Sequence, residues 1–152
     1  MKISVCTGPL TQADAEILSA IHRAAFQPSG ARGWSADEIS DLLDKPTALL
    51  VTTDSAFILA EIVCGEAEVT TIAVDPSRQN EGLGQKLLEA FFVECRCRYV
   101  TRCVLEVAIN NINAIRLYNS FNFTRIAIRE RYFRINTSFV SAIVMEKLFE
   151  NN

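Results

Sequence analysis

Hydrophobic and polar residues alternate with two different periods along this 152-residue chain. Short apolar runs that are rich in β-branched residues and end at turn residues predict strands. Apolar residues that recur three and four positions apart predict amphipathic helices, and Thr11 and Ser35 stand where the first two helices need N-caps. The predicted strands are 3–6, 48–52, 56–64, 67–74, 101–107, 123–132 and 137–148. The predicted helices are 12–26, 36–44, 82–98 and 111–121.

The order of these elements indicates the fold class. Hairpins, such as the one around Asp54-Ser55, occur beside crossover connections, such as the one that contains helix 82–98. This mixture predicts an α+β fold with a mixed, mostly antiparallel sheet flanked by helices, and argues against a doubly wound parallel sheet. Because no linker, repeat or low-complexity segment interrupts the pattern, we expect residues 1–152 to form a single domain.

Charge and cysteine content narrow the functional classes. The net charge of −3 argues against a dominant role in binding nucleic acid, which usually requires a basic patch. No apolar run approaches the ~20 residues that cross a membrane, and the N-terminus does not resemble a signal peptide. The five cysteines lack C-x-x-C spacing, so we expect free thiols, a cytoplasmic protein and no metal site.

The segment that follows strand 67–74 is the first candidate site. The strand stops before Pro76, a loop containing Gly82 and Gly84 follows, and helix 82–98 begins there. Strand, glycine loop and helix N-terminus together favour a phosphate group, because the first N–H groups of a helix point outward and the helix dipole attracts anions. The loop lacks the Lys-Ser/Thr of a P-loop and the G-x-G-x-x-G of dinucleotide-binding folds, which disfavours ATP and dinucleotides. The alternative is a tight strand-to-helix turn without a ligand.

A second group of candidate residues lies further along the chain. Strand 101–107 places Glu106 on the face opposite Cys103, Leu105 and Val107. Asn111 and Tyr118 are seven residues apart, nearly two helical turns, and therefore share one stripe of helix 111–121. The structural alternatives are a rim carboxylate for Glu106 and a core aromatic for Tyr118.

These segments together resemble the GCN5-related N-acetyltransferase (GNAT) superfamily. Members carry Q/R-x-x-G-x-G/A, then an acidic strand residue, then N-x-x-A-x-x-x-Y on a helix; here these are Gln79 to Gly84, Glu106, and Asn111 to Tyr118. A closer resemblance, to the bacterial ribosomal-protein alanine N-acetyltransferases, rests on Ile72 to Pro76, on I-R-x-x-Y-F at 128–133, and on the segment from Phe26 to Glu38. Asn122 stands where the family usually has glycine, and asparagine tolerates the left-handed backbone of a helix end.

The resemblance implies the GNAT fold and acetyl-CoA as cosubstrate, bound without a metal. It also implies transfer of the acetyl group to a protein N-terminal amine, such as the N-terminal alanine of a small-subunit ribosomal protein. The implied cosubstrate-binding residues are Ile72, Ala73, Val74, Gln79, Asn80, Glu81, Gly82, Leu83, Gly84, Gln85 and Asn111. Trp34 and Tyr132 are candidates for lining the acceptor groove.

The resemblance assigns catalytic roles to two side chains and one backbone group. Glu106 is the candidate general base for the acceptor amine, and the N–H of Val74 is the candidate donor to the oxyanion. Tyr118 is the candidate acid for the departing thiolate. Because a phenol is about 1.5 pKa units above a thiol, full proton transfer is uphill by roughly 2 kcal/mol, and hydrogen bonding to the thiolate is the alternative.

Two rival functions remain open at this point. One is acetylation of a small amine or a lysine side chain, and the other is a non-catalytic CoA-binding module for protein interaction. A thiol nucleophile is disfavoured: Cys103 lies far in sequence from the single histidine, His22, which we expect to be a surface or half-buried residue of helix 12–26.

Overall fold

A computed structural model describes residues 2–150, in which one mixed sheet is flanked by four α-helices. The strands are β1 (Ser4–Cys6), β2 (Ala48–Thr52), β3 (Ala56–Val63), β4 (Glu66–Val74), β5 (Arg102–Ala108), β6 (Thr124–Ile135) and β7 (Ser138–Leu148). The helices are α1 (Gln12–Phe26), α2 (Ala36–Leu43), α3 (Leu83–Cys97) and α4 (Ile112–Ser120). Short 3-10 turns span Gln27–Ser29 and Pro76–Arg78.

The predicted fold class is confirmed. The sheet has the order β1-β2-β3-β4-β5-β7-β6, and β4–β5 is its parallel pair while the other described pairs are antiparallel. Predicted and observed ends agree within about one residue except in β6, which continues past the predicted end at Tyr132 to Ile135. The extra residues pair with β7 across a short turn, where Asn136 has a φ of 54°.

Side-chain capping begins the first two helices as predicted. The Thr11 hydroxyl accepts a hydrogen bond from the N–H of Asp14, and the Ser35 hydroxyl accepts one from the N–H of Glu38. Each cap satisfies an N–H group that the helix itself leaves without a partner. None of the helices within residues 2–150 combines the length and the apolar character needed to cross a membrane.

The sheet separates two hydrophobic cores because successive strand residues point to opposite faces. On one face, α1 and α2 cover residues such as Leu50, Phe57 and Leu59. On the other face, α3 and α4 cover residues such as Val51 and Ile58. Neighbouring residues of β2 and β3 therefore belong to different cores, and the helices fix the two faces on which functional groups can lie.

Candidate functional site

β4 and β5 separate before they end. Their pairing stops at Val69 and Leu105, although β4 continues to Val74 and β5 to Ala108. A β-bulge at Thr70 interrupts the ladder between β3 and β4 at the same level. The two parallel strands therefore leave an open edge between them at their carboxyl ends.

The backbone of β4 faces this gap with unused hydrogen-bonding groups. The N–H of Asp75 donates to the Ser55 carbonyl at 2.8 Å, on the β3 side. Because successive strand residues direct their N–H groups to opposite sides, Ile72 and Val74 direct theirs into the gap. The Gln79 side-chain amide contacts the Val74 carbonyl at 3.4 Å. The edge is thus suited to pairing with an extended ligand, as an added strand would pair.

The loop from β4 to α3 carries a second set of unused donors. No described residue accepts a hydrogen bond from the backbone N–H groups of Asn80–Gln85. The other helices begin at side-chain caps from Thr11, Ser35 and Asn111, whereas α3 begins at Gly82 without one. These free N–H groups and the positive end of the α3 dipole form a candidate site for an anion.

Glycine is required at positions 82 and 84 for different structural reasons. Gly82 adopts a left-handed φ of 76°, and an added Cβ would meet nothing within 4 Å, so the loop is open on that side. At Gly84 an added Cβ would lie 3.1 Å from Leu117 of α4. Gly84 therefore serves the close approach of α3 to α4, a role that the loop motif alone does not reveal. Beside them, Glu81 forms an ion pair with Arg78 at 2.8 Å.

Glu106 lies on the sheet face that α1 and α2 only partly cover. As predicted from the alternation in β5, its neighbours Leu105 and Val107 are buried on the opposite, α3-covered face. The Glu106 side chain is 21% exposed, and Arg129 Nε lies 2.6 Å from its Oε1. Tyr132 reaches the same carboxylate: a hydrogen-bonding interaction with Glu106 is the main cause of a raised pKa at the Tyr132 hydroxyl. The structure thus brings the predicted residues Glu106 and Tyr132 together.

Arg129 is the member of this cluster that sequence reasoning missed. It pairs with Ala142 of β7, but the register then shifts, and Phe133 is the next β6 residue paired. Within this irregular stretch Arg131 adopts a φ of 52°. Arg129 lies on the Glu106 face through regular pairing, because it follows Ala127 by two residues and Ala127 is in line with Glu106 across β7. Tyr132 would point to the opposite face of a regular strand, and the irregular stretch turns it toward Glu106. The I-R-x-x-Y-F pattern contains this arginine, but the sequence does not show the shift in register.

Tyr118 lies in the α3-side core, with its ring edge-on to Phe123 at 5.7 Å between centroids. It is 4% exposed, and burial raises the pKa of its hydroxyl well above the ordinary value. Within residues 2–150 no buried side-chain oxygen or nitrogen lacks a partner, and the Tyr118 hydroxyl has no hydrogen bond to a described residue. Its oxygen is therefore not fully enclosed, and its hydroxyl hydrogen bond is not used within the described residues. Asn111, the predicted partner on the same helix, caps α4 by accepting from the N–H of Ala114 at 3.3 Å.

Two loops meet on the side of the sheet that Glu106 faces. The N–H of Asn136, in the β6–β7 turn, donates to the carbonyl of Gly30, in the α1–α2 loop, at 3.2 Å. A side chain at position 30 would overlap the Asn136 amide, and Gly30 also has a φ of 82°. The contact therefore joins the α1–α2 loop to the β6–β7 turn.

The prediction for His22 was wrong, because this side chain is only 3% exposed. Its ring stacks on Phe26 and on Trp34, each at 4.5 Å between centroids. Nδ1 accepts from the Trp34 N–H at 3.0 Å, so the neutral ring carries its proton on Nε2, which donates to Thr71 Oγ1 at 3.3 Å. Both partners come from other segments of the chain, which is why the pattern of α1 alone does not predict the burial.

The same contacts define the place of Trp34. Its indole packs on His22, and its carbonyl accepts from the Ser19 hydroxyl at 2.7 Å. Trp34 thus attaches the α1–α2 loop to α1 and, through His22, to β4 near the bulge. Its predicted role in lining the acceptor groove stays a prediction, while packing explains its position.

His22 leads to a pH-dependent stability. Burial lowers its pKa from 6.5 to about 4. The negative charge of Glu38 raises this pKa by a smaller amount, and the positive charge of Arg32 lowers it. Because the unfolded state binds the proton more tightly, stability is full above about pH 6.5 and falls as the pH drops toward 4. We expect a loss of about 2 kcal/mol between pH 7 and pH 5 from this group.

Urea unfolding at both pH values measures this loss. His22→Gln removes the titrating group and should show a correspondingly smaller pH dependence than the parent protein. The same change between pH 7 and pH 5 in both proteins would contradict the assignment.

The two buried cysteines are poor candidates for a nucleophile. All five are free. Cys95 and Cys103 are buried, and burial raises the pKa of Cys95 to about 12 and that of Cys103 further. Both are therefore protonated thiols near neutral pH, and a thiol is a poor nucleophile. In the described part of the chain, no three His, Cys, Asp or Glu side chains are grouped so that they could hold a metal ion.

Comparison with known proteins gives this site a context. The family model described as the acetyltransferase (GNAT) family matches residues 20–123. The [ribosomal protein bS18]-alanine N-acetyltransferase of Escherichia coli K12 is 40% identical over 91 residues, which are 60% of this chain and 62% of that protein. The N-alpha-acetyltransferase RimI of Mycobacterium tuberculosis is 41% identical over 71 residues, 47% of this chain and 43% of that protein. The chain thus aligns with less than two thirds of the length of these curated relatives.

A solved structure extends the likeness to nearly the whole chain. The crystal structure of the ribosomal-protein-S18-alanine N-acetyltransferase from Escherichia coli superposes with a TM-score of 0.83 at 28% identity, covering 99% of this chain and 96% of that one. The separated parallel strands, the uncapped α3 and the Glu106 cluster therefore lie on a backbone that is closely similar to that of this enzyme.

Proposed function

Because the chain belongs to the acetyltransferase (GNAT) family, we propose that it transfers an acetyl group from acetyl-CoA to the α-amine of a protein N-terminus. One observation carries the proposal: two groups of backbone N–H donors without acceptors lie next to each other. The free N–H groups of Asn80–Gln85 lie next to the unpaired β4 edge at Ile72 and Val74. This is the arrangement that a ligand with a pyrophosphate and an extended amide-containing arm requires.

The residues present fit acetyl-CoA without a metal. The N–H groups of Asn80–Gln85 bind the pyrophosphate, and Gly82 leaves the loop open to it. The N–H groups of Ile72 and Val74 bind the pantetheine arm. This orients the thioester toward the end of the gap between β4 and β5, which bears Glu106 on one side and Tyr118 on the other.

The chain's own groups then supply the chemistry. An α-ammonium group with a pKa of about 8 must lose a proton before it can attack. Glu106 accepts that proton, directly or through a water. The N–H of Val74 stabilises the charge that develops on the carbonyl oxygen. Tyr118 donates a hydrogen bond to the departing sulfur, and its raised pKa favours this role over full transfer of its proton.

The shape of the acceptor side favours a chain end over an internal lysine. The contact between Asn136 and Gly30 bridges two loops on the side of the sheet that Glu106 faces. A chain terminus can extend beneath such a bridge, whereas a lysine in a folded segment would have to bring its flanking backbone across it. The name of the Mycobacterium relative, an N-alpha-acetyltransferase, supports an α-amine acceptor. The name of the Escherichia coli relative supports the finer proposal that the acceptor is the N-terminal alanine of a small-subunit ribosomal protein. The free cysteines suit a reducing cytoplasm, where our proposal places the reaction.

A thiol-release assay with three acceptors tests the proposal. The acceptors are a peptide that begins with alanine, the same peptide with a blocked N-terminus and an internal lysine, and a small primary amine. We expect release with the first and little with the others. Preference for the lysine or the small amine would replace the proposed acceptor class. CoA binding by calorimetry without turnover on any acceptor would favour a non-catalytic module.

A further inference from the structure

The Glu106 carboxylate forms an ion pair with the guanidinium of Arg129. Arg129 Nε is 2.6 Å from Glu106 Oε1, within the hydrogen-bonding range of a charge-assisted pair. The guanidinium also lies over the Tyr132 ring, 5.5 Å from its centroid. The nitrogen of an acceptor must reach this same carboxylate, directly or through one water, before it can give up its proton.

The backbone of β6 brings a second group to this cation. Arg129 lies on the Glu106 face through its pairing with Ala142. Tyr132 follows it by three residues and would point to the opposite face of a regular strand, but the register shift after Arg129 and the left-handed Arg131 break the alternation, and the Tyr132 ring lies under the guanidinium. Glu106, Arg129 and Tyr132 therefore form one cluster on this face.

The ion pair is also easy to break. The Arg129 side chain is 57% exposed, and ion pairs with one such exposed partner contribute only about 0–1 kcal/mol. Its long stem allows the guanidinium to move into solvent while the backbone of β6 stays in place. A ligand that supplies its own positive charge to Glu106 can therefore replace it at small cost.

We propose that Arg129 is a displaceable substitute for the acceptor's ammonium group, so that every acceptor must compete with it for Glu106. This inference rests on the proposed acetyl transfer. It makes Arg129 a positioning residue that keeps Glu106 and Tyr132 arranged before the acceptor arrives. When Arg129 is displaced, its ion pair with Glu106 and its contact with the Tyr132 ring are lost. A positively charged chain end can form both contacts in its place, whereas a neutral acceptor cannot.

Steady-state kinetics with the alanine peptide tests this competition. Arg129→Gln removes the competing charge, and we expect the KM for the peptide to fall about two- to fivefold, the size of an exposed ion pair. The KM for acetyl-CoA should not change, because the donors that bind it lie elsewhere. Arg129→Lys keeps a positive charge and should restore the peptide KM toward the parent value. Arg125→Gln is the matched control, since Arg125 is exposed on the same strand but pairs with Met145.

Each result has a definite meaning. An unchanged peptide KM in Arg129→Gln overturns the competition. A raised KM also overturns it, because Arg129 would then bind the acceptor rather than exclude it. A parent protein that releases no thiol with any amine contradicts the proposed function itself, which a change confined to the Arg129 variants would not do.

Discussion

Replacing Glu106 with Gln is expected to lower kcat/KM for the acceptor amine by about 10²- to 10⁴-fold, the usual contribution of a positioned general base. The amide keeps the shape of the side chain but cannot take up the proton of the ammonium group. Binding of CoA should be retained, because the free N–H groups of Asn80–Gln85 and the β4 edge are untouched. Thiol release at saturating acetyl-CoA and calorimetry with CoA measure the two effects separately.

Glu68→Gln provides a matched control. Glu68 is an exposed carboxylate on the neighbouring strand, paired in register with Val104 and therefore on the same face as Glu106. Its replacement removes one negative charge from that face without altering the proposed base. Folding should be preserved in both variants, since the lost Glu106–Arg129 pair is partly exposed. A Glu106→Gln protein that matches the Glu68→Gln protein in kcat/KM would eliminate Glu106 as the base.

Tyr118→Phe is expected to lower kcat by about 10- to 100-fold with little effect on the stability of the fold. The activity loss corresponds to one hydrogen bond to a charged group, here the departing thiolate. Stability should change little because the hydroxyl makes no hydrogen bond to a described residue and the ring retains its contact with Phe123. Single-turnover kinetics and urea unfolding provide the two measurements.

The matched control is Tyr99→Phe, which removes a phenolic hydroxyl from a residue that is 87% exposed at the end of α3. It should keep the parent kcat. If Tyr118→Phe loses several kcal/mol of stability and no activity beyond that loss, the hydroxyl is structural and the proposed donor to sulfur is wrong.

Local patterns account for most of the fold. The strand and helix periods, and the caps at Thr11 and Ser35, depend on residues within a few positions of each other, and the structure reproduces them. The end of β6 was misplaced because its last three residues, Phe133–Ile135, are too short a run to predict a strand, and their pairing with β7 keeps them in one. The bulge at Thr70 is likewise set by register with β3, which a single strand's pattern does not contain.

In the candidate site too, residues that stand out in the local sequence could be predicted, and residues whose role depends on contacts with other elements could not. Glu106 could be singled out because an acid among apolar strand residues breaks the local pattern, and the glycine loop because it lies between a strand and a helix. Arg129 could not, since only the register of β6 with β7, and of β7 with β5, places it beside Glu106. His22 was misjudged for a similar reason, because Trp34 and Thr71, which satisfy its two nitrogens, approach from other elements.

The bulge at Thr70 has a consequence for how the protein unfolds. Before the bulge, Ala67 and Val69 of β4 belong to the α3-side core, and after it Ala73 belongs to the α1-side core. After the bulge the strand contributes to both cores, since Ile72 and Val74 still pack against the α3-side core. β3 beside it also serves both. Detaching either helical layer exposes part of the strand that anchors the other layer. We therefore expect the two helical layers to unfold together, with the open edge at Ile72 and Val74 depending on both.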